Sequence, residues 1–295
     1  MPNEVNLTLM NQKPLNLETP QPLVSIVVPT KSAERHLEEC LRSVREQTYR
    51  PIELIVIDNY SEDSTLALAT NFADIVQVAG PERSAQVNLG ACLASGKYIF
   101  RVDADFRLDP NVVMECVALC ETGADAVIVH NTADASVGLL ARIRKFEVDM
   151  YKYSLDHTSA RFLSRQLYCA IGGLREDLVA GEDYDFQNRL RKSGATIVTA
   201  EAEAIHLDEP VSMLPLIKKY YRYGKDFPNY RRYNKQESRV QLSIIRKDYI
   251  RHRKQFILHP VLGVLFVCYH LSKFVAGGLG YASSVVANLW RCDHI

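Results

Sequence analysis

The chain has 295 residues, 47% of them apolar and 24% charged, a balance that belongs to a globular protein with a sizeable core and excludes a disordered one. Its formal net charge of zero conceals a segregation: residues 1–210 hold 20 Lys+Arg against 31 Asp+Glu, and residues 211–295 hold 15 against 4. Seven scattered cysteines, without a Cys-x-x-Cys pair or a secretory n-region and h-region at the start, exclude a disulfide-stapled secreted fold and point to a reducing, cytoplasmic compartment.

Residues 1–21 are polar and interrupted by Pro2, Pro14 and Pro20, and read as a flexible leader. Leu23 to Val28 is a continuous, β-branched apolar run ended by Pro29, the pattern of a buried parallel strand. Leu37, Cys40, Leu41 and Val44 then fall on one helical face. Glu53 to Ile57 is a second buried strand, closed by Asp58 to Ser64, whose side chains are suited to capping a helix over Thr65 to Asn71. Ile75 to Val78 is a third strand, and Ser84 to Ala94 reads as a helix. Pro110 opens a helix to about Cys120, in which Cys116 and Cys120 read as buried structural thiols. Ala126 to His130 is another strand. Strands alternating with helices in this way predict an α/β fold, a mostly parallel sheet covered on both faces, with ligands outside the carboxyl ends of the strands. Beyond it come an amphipathic helix over Leu139 to Met150, a strand-like segment from Arg161 to Ala170 leading to Gly172-Gly173, a helix from Glu182 to Lys192, a strand at Thr196 to Thr199 and a strand end at Ala204 to Leu207.

Between these elements Tyr98 to Phe106 runs an apolar strand into Asp103-Ala104-Asp105. Mg²⁺ and Mn²⁺ prefer carboxylate and phosphate oxygens, and with one or two protein carboxylates they complete their shell with a diphosphate and water. The motif therefore reads as a metal-bridged diphosphate site, although Asp-x-Asp is also common in surface turns. Asp58 reads equally as a helix cap, and Glu182 with Asp183 as carboxylates that favour a helix N-terminus.

The ordered set V-S-I-V-V-P-T (Val24 to Thr30), L-R-S-V-R-E-Q (Leu41 to Gln47), I-V-I-D-N-Y-S-E-D (Ile55 to Asp63), Arg83 to Asp105 and G-E-D-Y-D-F-Q-N-R (Gly181 to Arg189) resembles the family 2 glycosyltransferases of the GT-A fold. The resemblance covers about residues 22–208. It implies a GT-A domain over 22–210 and an inverting transfer from a nucleotide-sugar donor, with UDP the expected nucleotide, to a hydroxyl. It further implies donor contacts by Pro29, Thr30, Glu34, Asp58, Arg83, Asn88 and Asp103, and a Mn²⁺ or Mg²⁺ ion on Asp103, Asp105 and His206. Asp183 is the implied general base, with Glu182 beside it. Lys31-Ser32, Asn59 and Val87 depart from the family's usual residues and bear on how base and ribose are held. A nucleotide-sugar-binding or nucleic-acid-binding module with an inactive transferase fold is the alternative.

Residues 211–295 form a basic and aromatic, then apolar, helical region. From Lys218 to Lys254 it carries 13 Lys+Arg and six tyrosines, and the apolar run from Pro260 to Leu289 is interrupted by Lys273, Gly277, Gly278 and Gly280. Such a segment suits lying at the inner face of a membrane better than spanning it, and the family resemblance, taken with a C-terminal segment of this kind, implies a polyprenyl-linked saccharide as the acceptor. Packing on the body or a homodimer contact is the plain alternative. Nucleic acid is not the expected partner, despite the interleaved bases and tyrosines, because the stretch follows a complete constellation.

Overall fold

The computed structural model describes residues 20–292, so the expected leader lies almost wholly outside the described residues. The strands are β1 (Val24–Thr30), β2 (Ile52–Asp58), β3 (Ile75–Val78), β4 (Tyr98–Arg101), β5 (Phe106–Leu108), β6 (Ala126–Ile128), β7 (Asn131–Ala133), β8 (Phe162–Ser164), β9 (Ile197–Thr199) and β10 (Ala204–His206). The helices are α1 (Glu34–Arg45), α2 (Thr65–Phe72), α3 (Arg83–Leu93), α4 (Val112–Glu121), α5 (Leu139–Asp149), α6 (Arg165–Ile171), α7 (Glu182–Lys192), α8 (Met213–Tyr233), α9 (Glu237–Gln241), α10 (Lys247–Arg251), α11 (Arg253–Leu258) and α12 (Pro260–Cys292). The chain divides into two compact units: the first runs to Thr132 and adds Thr158–Glu176 and Phe186–Asp208, and the second comprises Ala133–His157, Asp177–Asp185 and the chain from Glu209.

The first unit is built on a seven-stranded sheet of order β3-β2-β1-β4-β8-β6-β9, mixed but mostly parallel, with helices around it. Every residue of β1 is buried, as a β-branched run flanked by strands on both sides requires. Val24, Ile26 and Val28 pack with Leu37, Leu41 and Val44 of α1 and with Leu54, Val56 and Phe100, each apolar side chain contributing about 1.5–3 kcal/mol of burial. In register Thr30 lies beside Asp58, and Val27 beside Arg101. The chain steps from β1 outward to β3 and returns on the other side of β1 at β4. The strand order therefore reverses between β1 and β4, the place where open α/β sheets bind ligands.

Three local expectations are corrected. The segment Arg161 to Ala170 is a strand only over Phe162–Ser164: the Ser164 hydroxyl accepts from Leu167 N at 3.1 Å, starting α6, and Gly172 at φ 85° ends it. That strand is antiparallel to both neighbours, β4 and β6. Asp58 does not cap α2: Asp63 accepts from Thr65 N at 3.1 Å and Glu34 from Ser64 N at 3.0 Å. A further small sheet, β5-β10-β7, was not foreseen.

In the second unit α12 is one continuous helix, and neither Lys273 nor the glycines break it. Lys273 Nζ is ion-paired with the buried Glu147 of α5. A Cβ at Gly224 of α8 would strike Gly277 O, and one at Gly280 would strike Tyr221 O, so the glycines serve a close helix crossing. Ile143, Met150, Leu216, Phe266 and Tyr269 form the apolar core of this unit. By length and composition Pro260–Ala287 is long and apolar enough to cross a membrane.

Candidate active site

Of the candidate donor residues of the first unit, Pro29, Thr30, Asp58 and Asp103 lie at or just beyond the carboxyl ends of β1, β2 and β4, Glu34 lies at the start of α1, and Arg83 and Asn88 lie on α3. Thr30 is buried, and its hydroxyl donates to Asp58 Oδ1 at 2.9 Å. Asp58 also accepts from Ser61 N at 2.8 Å and Ser61 Oγ at 2.6 Å, so it shapes the loop after β2. Pro29, one residue earlier, is buried within β1 beside Ile57. Glu34, exposed, ties α1 to the start of α2. Gln86, which sequence reasoning passed over, is buried and donates to Thr30 O at 2.9 Å and Ile57 O at 2.5 Å, clamping the two strand ends together.

Asp103 lies two residues past β4 and is held by arginines. Arg161 Nη1 donates to Asp103 Oδ2 at 2.8 Å, and Arg83 Nη1 stands 3.6 Å from Oδ1. Burial by itself would push the Asp103 carboxyl up. The guanidinium groups of Arg161, Arg83 and Arg101 outweigh it and hold the group well below the usual carboxylate range. Arg161 and Arg101 were not singled out from sequence. Arg161 precedes a short strand, and only the antiparallel pairing of β8 with β4, Phe162 opposite Phe100, brings it to Asp103. Its guanidinium also lies over the Phe106 ring, 4.9 Å from the centroid.

Asp105 pairs with His206 instead, Nε2 to Oδ2 at 3.3 Å. The register His206 opposite Phe106 in the β10–β5 ladder produces this neighbourhood, reinforced by Leu207 N donating to Asp105 O at 2.8 Å. The three expected ligands, Asp103, Asp105 and His206, are therefore not gathered into one set in this structure. Among the described residues no three His, Cys, Asp or Glu side chains are arranged to hold a metal by themselves, because Asp103 is turned to arginines. The residues still fit a divalent cation shared with a diphosphate: Asp105 and His206 offer oxygen and imidazole donors, and the buried Asp103 Oδ1 accepts no hydrogen bond among the described residues.

Asn88 is committed elsewhere. Its amide donates to Leu174 O at 2.9 Å and Glu176 Oε1 at 2.8 Å and accepts from Tyr168 OH at 2.7 Å and Leu174 N at 2.9 Å. It thus holds the turn through Gly172 and Gly173 and has no capacity left for a donor substrate.

In the second unit Gly181, at φ 82°, precedes Glu182 and Asp183 at the start of α7. Glu182 is buried and Asp183 partly so. Helix α8 and Asn234 just after it secure this segment: Asp226 Oδ2 accepts from Val179 N at 3.2 Å and Ala180 N at 3.1 Å, Tyr233 OH donates to Asp177 at 2.6 Å, and Asn234 Nδ2 donates to Asp185 Oδ1 at 2.9 Å. A Cβ on Gly181 would lie 2.8 Å from the Tyr230 ring. Burial pushes the neighbouring Tyr184 hydroxyl up to about 12, so it stays protonated at neutral pH.

Comparison with known proteins gives a consistent picture. The family described as "Glycosyl transferase family 2" matches residues 25–176. Glycosyltransferase GlyG of Streptococcus pneumoniae is 33% identical over 114 residues, 36% of this chain and 38% of its own length. The matched segments span about a third of the first curated relatives. Mannosyltransferase PcManGT from Pyrobaculum calidifontis, solved in complex with GDP-Man and Mn²⁺, superposes with a TM-score of 0.57 at 16% identity, covering 96% of this chain and 81% of that one. Staphylococcus aureus TarS 1-349 in complex with UDP-GlcNAc gives 0.50 at 18% identity, over 70% of this chain and 66% of that one. At these identities the two structures establish the fold, GT-A.

Proposed function

The chain belongs to glycosyl transferase family 2, and we propose from that premise that it transfers a glycosyl group from a nucleoside-diphosphate sugar to a hydroxyl. The observation that carries the reading is the pairing, just beyond β4, of an arginine-held carboxylate, Asp103, with an Asp105–His206 pair. Arg83, 45% exposed, is able to turn from Asp103 to a diphosphate oxygen while Arg161 keeps Asp103 ionised.

The acceptor oxygen attacks the anomeric carbon, the bond from that carbon to the diphosphate oxygen breaks, and the nucleoside diphosphate leaves with the electron pair. The acceptor proton passes to Asp183, and direct attack inverts the anomeric centre. A Mn²⁺ or Mg²⁺ ion held by Asp105 and His206 would neutralise charge on the leaving diphosphate. Thr30 and Asp58 shape the strand ends that receive the nucleotide. UDP is the expected nucleotide, and the acceptor we favour is a polyprenyl-linked saccharide reached from the cytoplasmic face of the membrane.

The test is calorimetry with UDP and GDP, each with Mn²⁺ and with EDTA, followed by assay of donor hydrolysis and of transfer to lipid extract. Tight binding of one nucleotide that needs the metal, together with turnover, is the expected result. Metal-dependent binding without any hydrolysis or transfer would leave a binding module in place of an enzyme.

A further inference from the structure

Helix α12 has two opposite faces. At about 100° per residue, Val261, Val264, Leu271, Val275, Leu279 and Val286 fall within an arc of about 80°, and their exposure runs from 47% to 71%. Phe266, Tyr269, His270, Lys273 and Ala276 fall on the other side and are buried. The outward arc carries no charge over about 38 Å of helix, an uncharged strip of a length that marks an interaction surface.

Its surroundings identify the occupant. Just before α12, Ile257 and Leu258 of α11 are 77% and 69% exposed, on the same short helix as the exposed Arg253 and Lys254. Farther along, Tyr221 of α8 donates to Ser283 Oγ at 3.1 Å, and Lys225 Nζ lies over the Tyr221 ring at 5.7 Å. The exposed Lys218 and Arg222 are on the same helix. An apolar strip bordered by cations at both ends matches the boundary between acyl chains and anionic headgroups. A second copy fits less well, since residues 211–295 carry 15 Lys+Arg against 4 Asp+Glu and self-association would set like charge on like. Spanning is disfavoured too: Lys273 and His270 are committed to Glu147, and the glycine crossing fixes α12 against α8.

We propose that the outward face of α12 docks on an anionic bilayer, with the helix lying in the plane of the membrane and its valine and leucine strip at the headgroup boundary. The proposal stands on the second unit alone and does not depend on the transferase reading.

Flotation of the full chain with phosphatidylcholine vesicles, with and without phosphatidylglycerol, tests it. At low salt the chain should float with the anionic vesicles and at high salt it should float less. Leu271→Asp and Val275→Asp should each lower vesicle binding at least about tenfold, with circular dichroism and melting temperature unchanged. Leu271→Trp, which keeps the strip apolar, should bind and show blue-shifted emission quenched by lipids brominated on the acyl chains. Three results overturn the proposal. One is absence of flotation at low salt. Another is a Leu271→Asp protein that floats like the parent, or that changes from dimer to monomer by light scattering while no form binds vesicles. The third is resistance to both high-salt and carbonate extraction, which would make α12 a spanning helix.

Discussion

Arg161 Nη1 donates to Asp103 Oδ2 at 2.8 Å, with both side chains largely withdrawn from solvent, 10% and 14% exposed. A buried carboxylate deprived of its partner is an uncompensated charge, and the loss is about 3 kcal/mol. Arg161→Gln should therefore lower stability at neutral pH by about that amount. The pH dependence has a definite sign. Asp103 is held below its unfolded range, so its contribution is complete above about pH 4 and disappears as pH falls toward the folded-state value. In Arg161→Gln burial acts against fewer cations, and acid unfolding should begin at higher pH. Urea titrations between neutral and acidic pH follow this directly; an unchanged acid limb would mean that Arg83 and Arg101 suffice.

The Asp105–His206 pair makes a separate prediction. On the proposed reading, Asp105→Ala and His206→Ala should each weaken Mn²⁺-dependent nucleotide binding by about tenfold or more, since each would remove one donor to the ion shared with the diphosphate. Nucleotide binding measured in EDTA should be the same in parent and variants. Equal losses with and without metal would assign the pair to structure alone.

Asn88 should behave as a stability residue. Its amide makes four hydrogen bonds to the segment Tyr168 to Glu176, and Asn88→Ala leaves buried partners unpaired at a cost of about 2–3 kcal/mol. Thermal melting should drop while nucleotide affinity, measured well below the melting point, stays within about twofold of the parent. A large loss of affinity in a stable Asn88→Ala protein would return it to the donor site.

Asp183→Asn keeps size and shape but cannot accept a proton. Turnover should fall by about 10²–10⁴-fold with donor affinity retained, because base catalysis acts only in the transition state. Product configuration, read by NMR on the parent, checks the same role independently: retention would be incompatible with a single attack assisted by Asp183.

How far the sequence spoke depended on whether a property was local. The buried β1 run, the α1 face of Leu37 to Val44 and the Asp-Ala-Asp after β4 were legible because periodicity and composition set them within a few residues. Arg161 was not, since its place at Asp103 comes from an antiparallel strand more than fifty residues away in sequence. The hydrogen bonds of Asn88 to the segment Tyr168 to Glu176 were not legible either, because a motif position cannot tell a ligand contact from a turn clamp. Likewise the tyrosines and bases of α8 read as surface, yet Asp226, Tyr233 and Asn234 secure the segment that carries Asp183.

The same long-range effect governs Lys273, which looked like an interruption in an apolar run. It lies against Glu147, whose carboxyl also receives Tyr151 OH at 3.1 Å and faces His270 at 3.5 Å. Burial opposes ionisation of Glu147, but Lys273 and the His270 bond hold it well below the usual range. Removing either member alone leaves a buried charge behind, so Glu147→Leu should cost about 3–5 kcal/mol and Lys273→Met less, because His270 and Arg246 still face the carboxylate. The double variant replaces the pair by apolar groups and should recover about 1–3 kcal/mol of the summed losses. Urea unfolding of the four proteins measures this coupling. Strict additivity would show that the two side chains do not stabilise each other and that the ion pair does not help hold α12 on α5.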